Sequence, residues 1–284
     1  MLEATEETIQ GGAGNLLVRT WRPASAPRTI VAICHGFNAH SGMYAWCGDQ
    51  FAQNGIVTYA LDLRGRGKSD GERFYVEHFE DYVDDLDRLV AFVKSREPDV
   101  PLVLLGHSAG GVTACLYVLE HQNKIAGLVC EDFAFEVPAP GLALTALKGV
   151  SYLAPHARAL ALKNKDFSRD TDIVKAMNED PLIAHETQPF ATMAAIVRAD
   201  ERLKMAFPQI TLPVLIVHGA ADKVAKPSGS QHFYERAGSR DKTLKIYEGR
   251  YHDPLNDLGR DEVIGDMLAW IETRLPAAFQ LTTT

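Results

Sequence analysis

Apolar runs of about six residues recur along this chain, separated by stretches whose apolar positions fall at helical spacing. Thr29–Cys34 (T-I-V-A-I-C) and Ile56–Leu61 (I-V-T-Y-A-L) are continuous rather than alternating, the pattern of strands buried on both faces. Similar runs occupy residues 101–106, 125–130, 212–219 and 243–247, each followed by a helix-compatible stretch. Residues 43–54 suit a helix. From 78 to 96, Phe79, Val83, Leu86, Leu89, Val90 and Val93 recur on one face with acids opposite. Ahead of them, residues 5–21 read as a hairpin turning at G-G-A-G-N, residues 11–15. Repeated strand–helix units predict an α/β fold with a mostly parallel central sheet, helices on both faces and a ligand site at the carboxyl ends of the strands.

One interval breaks the rhythm. Residues 136–208 hold no strand-like run, only helical segments such as 142–153 and 173–177 punctuated by Pro138, Pro140, Pro155, Pro181 and Pro189. The pattern predicts a helical cap inserted over the strand ends, with residues 1–135 and 209–284 forming the core. On the first of these segments Leu142, Leu144, Leu147, Val150 and Leu153 form an apolar stripe. Leu142 and Leu147 are expected to line a pocket, the alternative being a lid that touches a membrane surface peripherally.

Composition narrows the partners. With 284 residues and 46% hydrophobic content the chain can bury a large core, and its net charge of −8, without a basic run, argues against a nucleic-acid partner. The acidic, polar start and the absence of a span-length apolar segment make the cytoplasm the expected compartment. Cys34, Cys47, Cys115 and Cys130 lack C-x-x-C spacing and read as buried free thiols.

The chemistry concentrates at strand ends. The run feeding residues 104–111 (L-L-G-H-S-A-G-G) stops at Gly106-His107-Ser108-Ala109-Gly110, a G-x-S-x-G elbow whose small neighbours let a strand turn sharply into a helix and present the serine hydroxyl. A serine becomes a useful nucleophile only beside a base held by an acid. Asp222 follows the 212–219 run and His252 follows the 243–247 run, giving the order Ser, Asp, His. Asp132, after the 125–130 run, is the rival acid. His218, His40 and His232 lack partners at metal-ligand spacing, so no metal site is expected.

These stretches resemble the monoglyceride lipase and lysophospholipase branch of the α/β-hydrolases. The resemblance is carried by H-G-F-N-A-H-S-G-M-Y (35–44), R-G-R-G-K-S-D-G (64–71), G-H-S-A-G-G (106–111), D-P-L-I (180–183), G-A-A-D (219–222) and D-K-T-L-K-I-Y-E-G-R-Y-H (241–252). It implies a serine esterase that works through an acyl-enzyme without a cofactor and takes a small-molecule or lipid ester. Ser108, Asp222 and His252 would form the triad, and the main-chain amides of Phe37 and Ala109 the oxyanion hole. Two such donors are each worth about 3 to 4 kcal/mol of barrier.

Departures from the branch shape the specificity expected. Where its members carry Glu, Arg and a second histidine to hold glycerol hydroxyls, this chain has Ala39, Met43 and Leu255. An apolar leaving-group pocket and a simple carboxylesterase are expected in consequence, since a desolvated hydroxyl without a partner costs about 1 to 3 kcal/mol. The loop holding Asp62, Arg64 and Arg66 is assigned to structure. Lysophospholipase and acyltransferase activity are the alternatives within enzymes, and a catalytically silent binder of apolar ligands is the alternative outside them.

Overall fold

A computed structural model of the chain describes residues 1–135 and 140–279. The hairpin β1 (Thr5–Gly11) and β2 (Gly14–Trp21) leads into β3 (Thr29–Cys34), α1 (Ala45–Gln53), β4 (Ile56–Leu61), α2 (Glu80–Arg96), β5 (Leu102–His107), α3 (Ala109–His121) and β6 (Gly127–Glu131). After the interval described below come β9 (Val214–Gly219), α7 (Pro227–Arg236), β10 (Lys242–Tyr247) and α8 (Arg260–Glu272). Eight strands form one sheet in the order β1-β2-β4-β3-β5-β6-β9-β10, antiparallel only at β1/β2 and β2/β4.

Strand pleating divides the apolar runs between two cores. Ile30, Ala32 and Cys34 of β3 face the layer that contains α2 and α3, while Val31 and Ile33 face α1 and α8. Both faces are dry because helices cover both, so the runs need no polar alternation. Each fully buried Val, Leu or Ile contributes about 1.5 to 3 kcal/mol of transfer free energy. The four cysteines are buried and free, and burial pushes the Cys34 thiol up to about 12.

The interval between β6 and β9 differs from its sequence reading in two ways. Within it lie α4 (Gly141–Leu153), β7 (Arg158–Leu160), α5 (Thr171–Glu179), β8 (Gln188–Pro189) and α6 (Phe190–Ala206); residues 136–139, the predicted start of the cap, fall outside the described residues. First, β7 and β8 pair antiparallel where no strand was expected, in segments too short to produce an apolar run. Second, α6 falls within the interval assigned to the cap yet packs into the main core. Met193, Ala195, Ile196, Ala199 and Leu203 join the main core, and its small residues permit that close approach to α3.

Candidate active site

The strand-to-helix turn places Ser108 between β5 and α3 with φ 54° and ψ −121°. This conformation costs a non-glycine residue about 1 to 3 kcal/mol and persists because its surroundings fix it. Ser108 N donates to Glu131 O (2.9 Å), and Ser108 O accepts from Gly111 N (2.9 Å) and Ala134 N (3.3 Å). Two glycines make room. A Cβ on Gly110 would stand 2.0 Å from Cys34 O, and one on Gly36 would stand 2.7 Å from Ser108 Cβ. The loop after β3 can therefore press against the turn.

His252, fully buried in the loop after β10, joins the other two candidates. Its Nε2 lies 2.8 Å from Ser108 Oγ and its Nδ1 lies 2.7 Å from Asp222 Oδ2. With the proton on Nδ1 the ring donates to the carboxylate and accepts from the serine hydroxyl, the arrangement general-base catalysis needs. The loop is pinned from behind: His107 Nε2 meets His252 O at 3.0 Å, Leu255 N donates to Glu131 Oε1 (3.0 Å), and Asp253 N donates to Phe167 O (2.9 Å). The Phe167 ring stands edge-on to the imidazole, 5.0 Å between centroids.

Asp222 is held as an anion. Burial alone would push its carboxyl up, but the charge of His252 and the adjoining imidazoles outweigh burial and bring it below the ordinary carboxylate range. Its Oδ1 accepts from Val224 N (2.7 Å) and Ala225 N (3.1 Å). Asp132 differs: burial first, then the charges of Asp222 and Glu131, push its carboxyl well above the ordinary value. Its Oδ1 accepts from Gly219 N (3.0 Å). The ligand atoms of Asp132, Asp222 and His252 come within 4.8 Å of one another, the spacing a metal would need. The Nδ1 to Oδ2 hydrogen bond already joins two of the three residues.

The predicted oxyanion donors flank the serine. Phe37 lines the same cavity as Ser108, and the point where a Gly36 Cβ would sit is 3.3 Å from Ala109 N. Neither the Phe37 nor the Ala109 amide has an acceptor among the described residues. His35 braces this loop, Nδ1 against Gly36 O (2.7 Å) and Nε2 accepting from Leu63 N (3.1 Å), and burial lowers it to about 3, so the ring is neutral. Asp62 accepts from Ser41 N (2.7 Å) and Lys68 N (2.8 Å), and Arg64 grips Asp85 (2.7 Å).

Two contributors escaped the sequence reading. His218, considered there only as a metal ligand, places Nε2 3.0 Å from Asp222 Oδ2, off the line of a hydrogen bond, and Nδ1 2.7 Å from Ser230 Oγ. Arg66 is buried against Glu186, with Gln188 Oε1 (2.8 Å) and Tyr82 Oη (2.9 Å) completing its contacts. Its guanidinium lies 4.4 Å from the Phe37 ring centre, and Glu186 accepts from Asn38 N (2.8 Å), so the pair anchors the loop that carries Phe37 and Asn38. The signal for His218 was its place at the end of β9, four residues before Asp222. For Arg66 no local signal existed, because its partner lies 120 residues away.

A cavity of about 380 Å³ opens from Ser108. Leu147 lines it together with Leu144, Met193, Ile196 and Val224. The other predicted substrate contacts fall elsewhere. Leu142 is 84% exposed, and Leu153 at the far end of α4 is 87% exposed, because only Leu144 and Leu147 of the stripe face the cavity. Ala39 is buried away from the wall, Met43 packs with Phe167, Met177 and Ile183, and Leu255 belongs to the core on the opposite side of the sheet. The three substitutions that suggested an apolar leaving-group pocket therefore do not line this cavity.

Residues 25–259 match the serine aminopeptidase S33 family. The chain belongs to this family. It is 30% identical to a monoacylglycerol lipase of Mycolicibacterium smegmatis, covering 95% of this chain and 98% of that protein. It is 31% identical to the monoglyceride lipase of Rattus norvegicus, covering 93% and 88%. The crystal structure of Paleococcus ferrophilus monoacylglycerol lipase superposes with a TM-score of 0.80 at 27% identity, covering 96% of this chain and 100% of that one. The chain is a carboxylic ester hydrolase on the monoglyceride lipase-like branch of the α/β-hydrolases.

Proposed function

We propose that Ser108, His252 and Asp222 hydrolyse a lipid carboxylic ester whose acyl chain occupies the apolar cavity. One observation carries the assignment: a single buried imidazole bridges the serine hydroxyl at 2.8 Å and the carboxylate at 2.7 Å. Ser108 Oγ attacks the ester carbonyl while His252 Nε2 takes its proton, and the amides of Phe37 and Ala109 hold the developing oxyanion. His252 returns the proton to the departing alcohol. Water, deprotonated by the same nitrogen, then attacks the acyl-enzyme and the acid leaves. Asp222 keeps the imidazole in one tautomer throughout.

The names of the relatives and the mostly aliphatic wall support a lipid ester over a polar one. Among the described residues no helix is long and apolar enough to cross a membrane. The cap bears Leu142, Tyr152 and Leu153, each at least 78% exposed, and this face would touch a lipid surface peripherally. A fluorophosphonate probe should label Ser108, with labelling and ester turnover both lost in Ser108→Ala. A probe that leaves the native protein unlabelled sinks the assignment, and failure to float with liposomes sinks the membrane contact alone.

A further inference from the structure

Beside the apolar cavity runs a second depression of about 550 Å³, and the exposed charged side chains on its wall are all cationic. Arg158, Lys163 and Lys165 line it, with His185 alongside. All four side chains belong to exposed residues, and none has a carboxylate partner among the described residues. The wall's carboxylate, Glu186, is 4% exposed and committed to Arg66. A protein of net charge −8 thus gathers three cations in one groove without neutralising them. Like charges repel one another, so such a cluster favours an anion when one is supplied.

The groove and the cavity share a wall. Ala161, Leu162 and Lys163 border both, and the groove begins at Asn38, the residue after Phe37. A carbonyl held at Ser108 thus has an apolar space on one side and the cationic groove beyond the oxyanion loop. Asn38, 3% exposed, ties the two rims together: its amide nitrogen donates to Asn164 Oδ1 (3.0 Å) on the groove wall.

Resting on the esterase reading above, we infer that the groove is an anion subsite for the alcohol half of the substrate. The ester it fits is an acylated polyol whose alcohol half bears a phosphate or carboxylate, with that anion among Arg158, Lys163 and Lys165. The chemical step is unchanged: the acyl carbon–oxygen bond breaks, and the anionic alcohol leaves with the proton from His252.

The test compares kcat/KM for monodecanoylglycerol, decanoylglycerol phosphate and decanoyl glycerate, which share an acyl chain and differ in the charge of the alcohol. The native enzyme should favour at least one anionic ester by about tenfold at low salt, and the preference should shrink as salt shortens the range of the charges. In Arg158→Ala/Lys165→Ala, two exposed positions outside the acyl cavity, that ratio should collapse toward one. A response to the phosphate ester alone assigns the subsite to phosphate, a response to the glycerate alone to carboxylate, and a response to both to either anion. A native preference for the neutral ester, or an anionic preference that the double variant retains, overturns the inference and leaves the esterase reading standing. No turnover of any of the three and no fluorophosphonate labelling would remove both.

Discussion

His218 Nε2 lies 3.0 Å from Asp222 Oδ2, the same oxygen that His252 Nδ1 reaches at 2.7 Å. One buried carboxylate oxygen thus faces two imidazoles, while the neighbouring Asp132 Oδ1 stands 3.6 Å from His218 Nε2. The two acids are also driven in opposite directions. Asp222 is held ionised among positive and donor groups, whereas burial and the charge of Asp222 itself push the Asp132 carboxyl well above its ordinary value. An acid that must stabilise an imidazolium has to carry charge, which favours Asp222 over Asp132 for that task.

Paired substitutions test this division. Asp222→Asn keeps the side chain's size but presents an amide to His252 Nδ1, which favours the wrong tautomer, and kcat should fall by about 10⁴-fold. Asp132→Asn retains an oxygen for Gly219 N and should stay within about tenfold of native kcat. Steady-state kinetics on a soluble ester check both, and the reverse ranking would move the acid to Asp132.

The upward shift of the Asp132 carboxyl predicts a stability effect with a definite sign. Asp132 has a folded pKa raised above its unfolded value of about 3.9, so the native state holds a proton that the unfolded state has lost. Its contribution is complete below that unfolded value and is lost as pH rises toward the folded one. An asparagine cannot ionise and carries no such dependence. The melting temperature of Asp132→Asn minus that of the native protein should therefore grow between about pH 5 and pH 8. A difference that stays flat or shrinks over this range would mean that Asp132 is ionised in the folded protein.

Much of the sheet was legible because its strands are buried on both faces: Thr29–Cys34 and Ile56–Leu61 appear at the boundaries their apolar runs suggest. The elbow was legible for a different reason, since a turn this tight admits few residues beside Ser108. What sequence did not disclose depends on partners distant in the chain. Arg66 meets Glu186 across 120 positions, and the groove wall joins Asn38 to residues 158–187. The α4 stripe failed in detail because helical spacing identifies an apolar face without saying how far along it a neighbour extends. Leu147 reaches the cavity while Leu142 meets solvent.

Arg66 and Glu186 form a buried ion pair, and removing one partner strands the other. Arg66→Met leaves a carboxylate at 4% exposure without its cation and should lower unfolding stability by about 3 to 5 kcal/mol in urea. Because Glu186 also holds Asn38 N, the oxyanion loop should loosen and kcat fall. The double variant Arg66→Met/Glu186→Gln removes the stranded charge and should recover part of the lost stability. Denaturation curves for the two variants decide it: a double variant no more stable than the single would show that the ion pair is not what the site depends on.

Leu147 gives the most direct handle on acyl-chain length. It faces an aliphatic space of about 380 Å³ beside Leu144 and Ile196, so Leu147→Trp would fill volume that a long chain needs and a short one does not. Since one methylene in an apolar pocket is worth about 1 to 3 kcal/mol, losing room for even one or two should cut kcat/KM for a hexadecanoyl ester at least about tenfold relative to a butanoyl ester. Leu142→Ser, on the same helix but facing solvent, should leave that ratio unchanged. An equal loss on short and long esters in Leu147→Trp would indicate a disturbed cap, and an unchanged ratio would place the acyl chain outside this cavity.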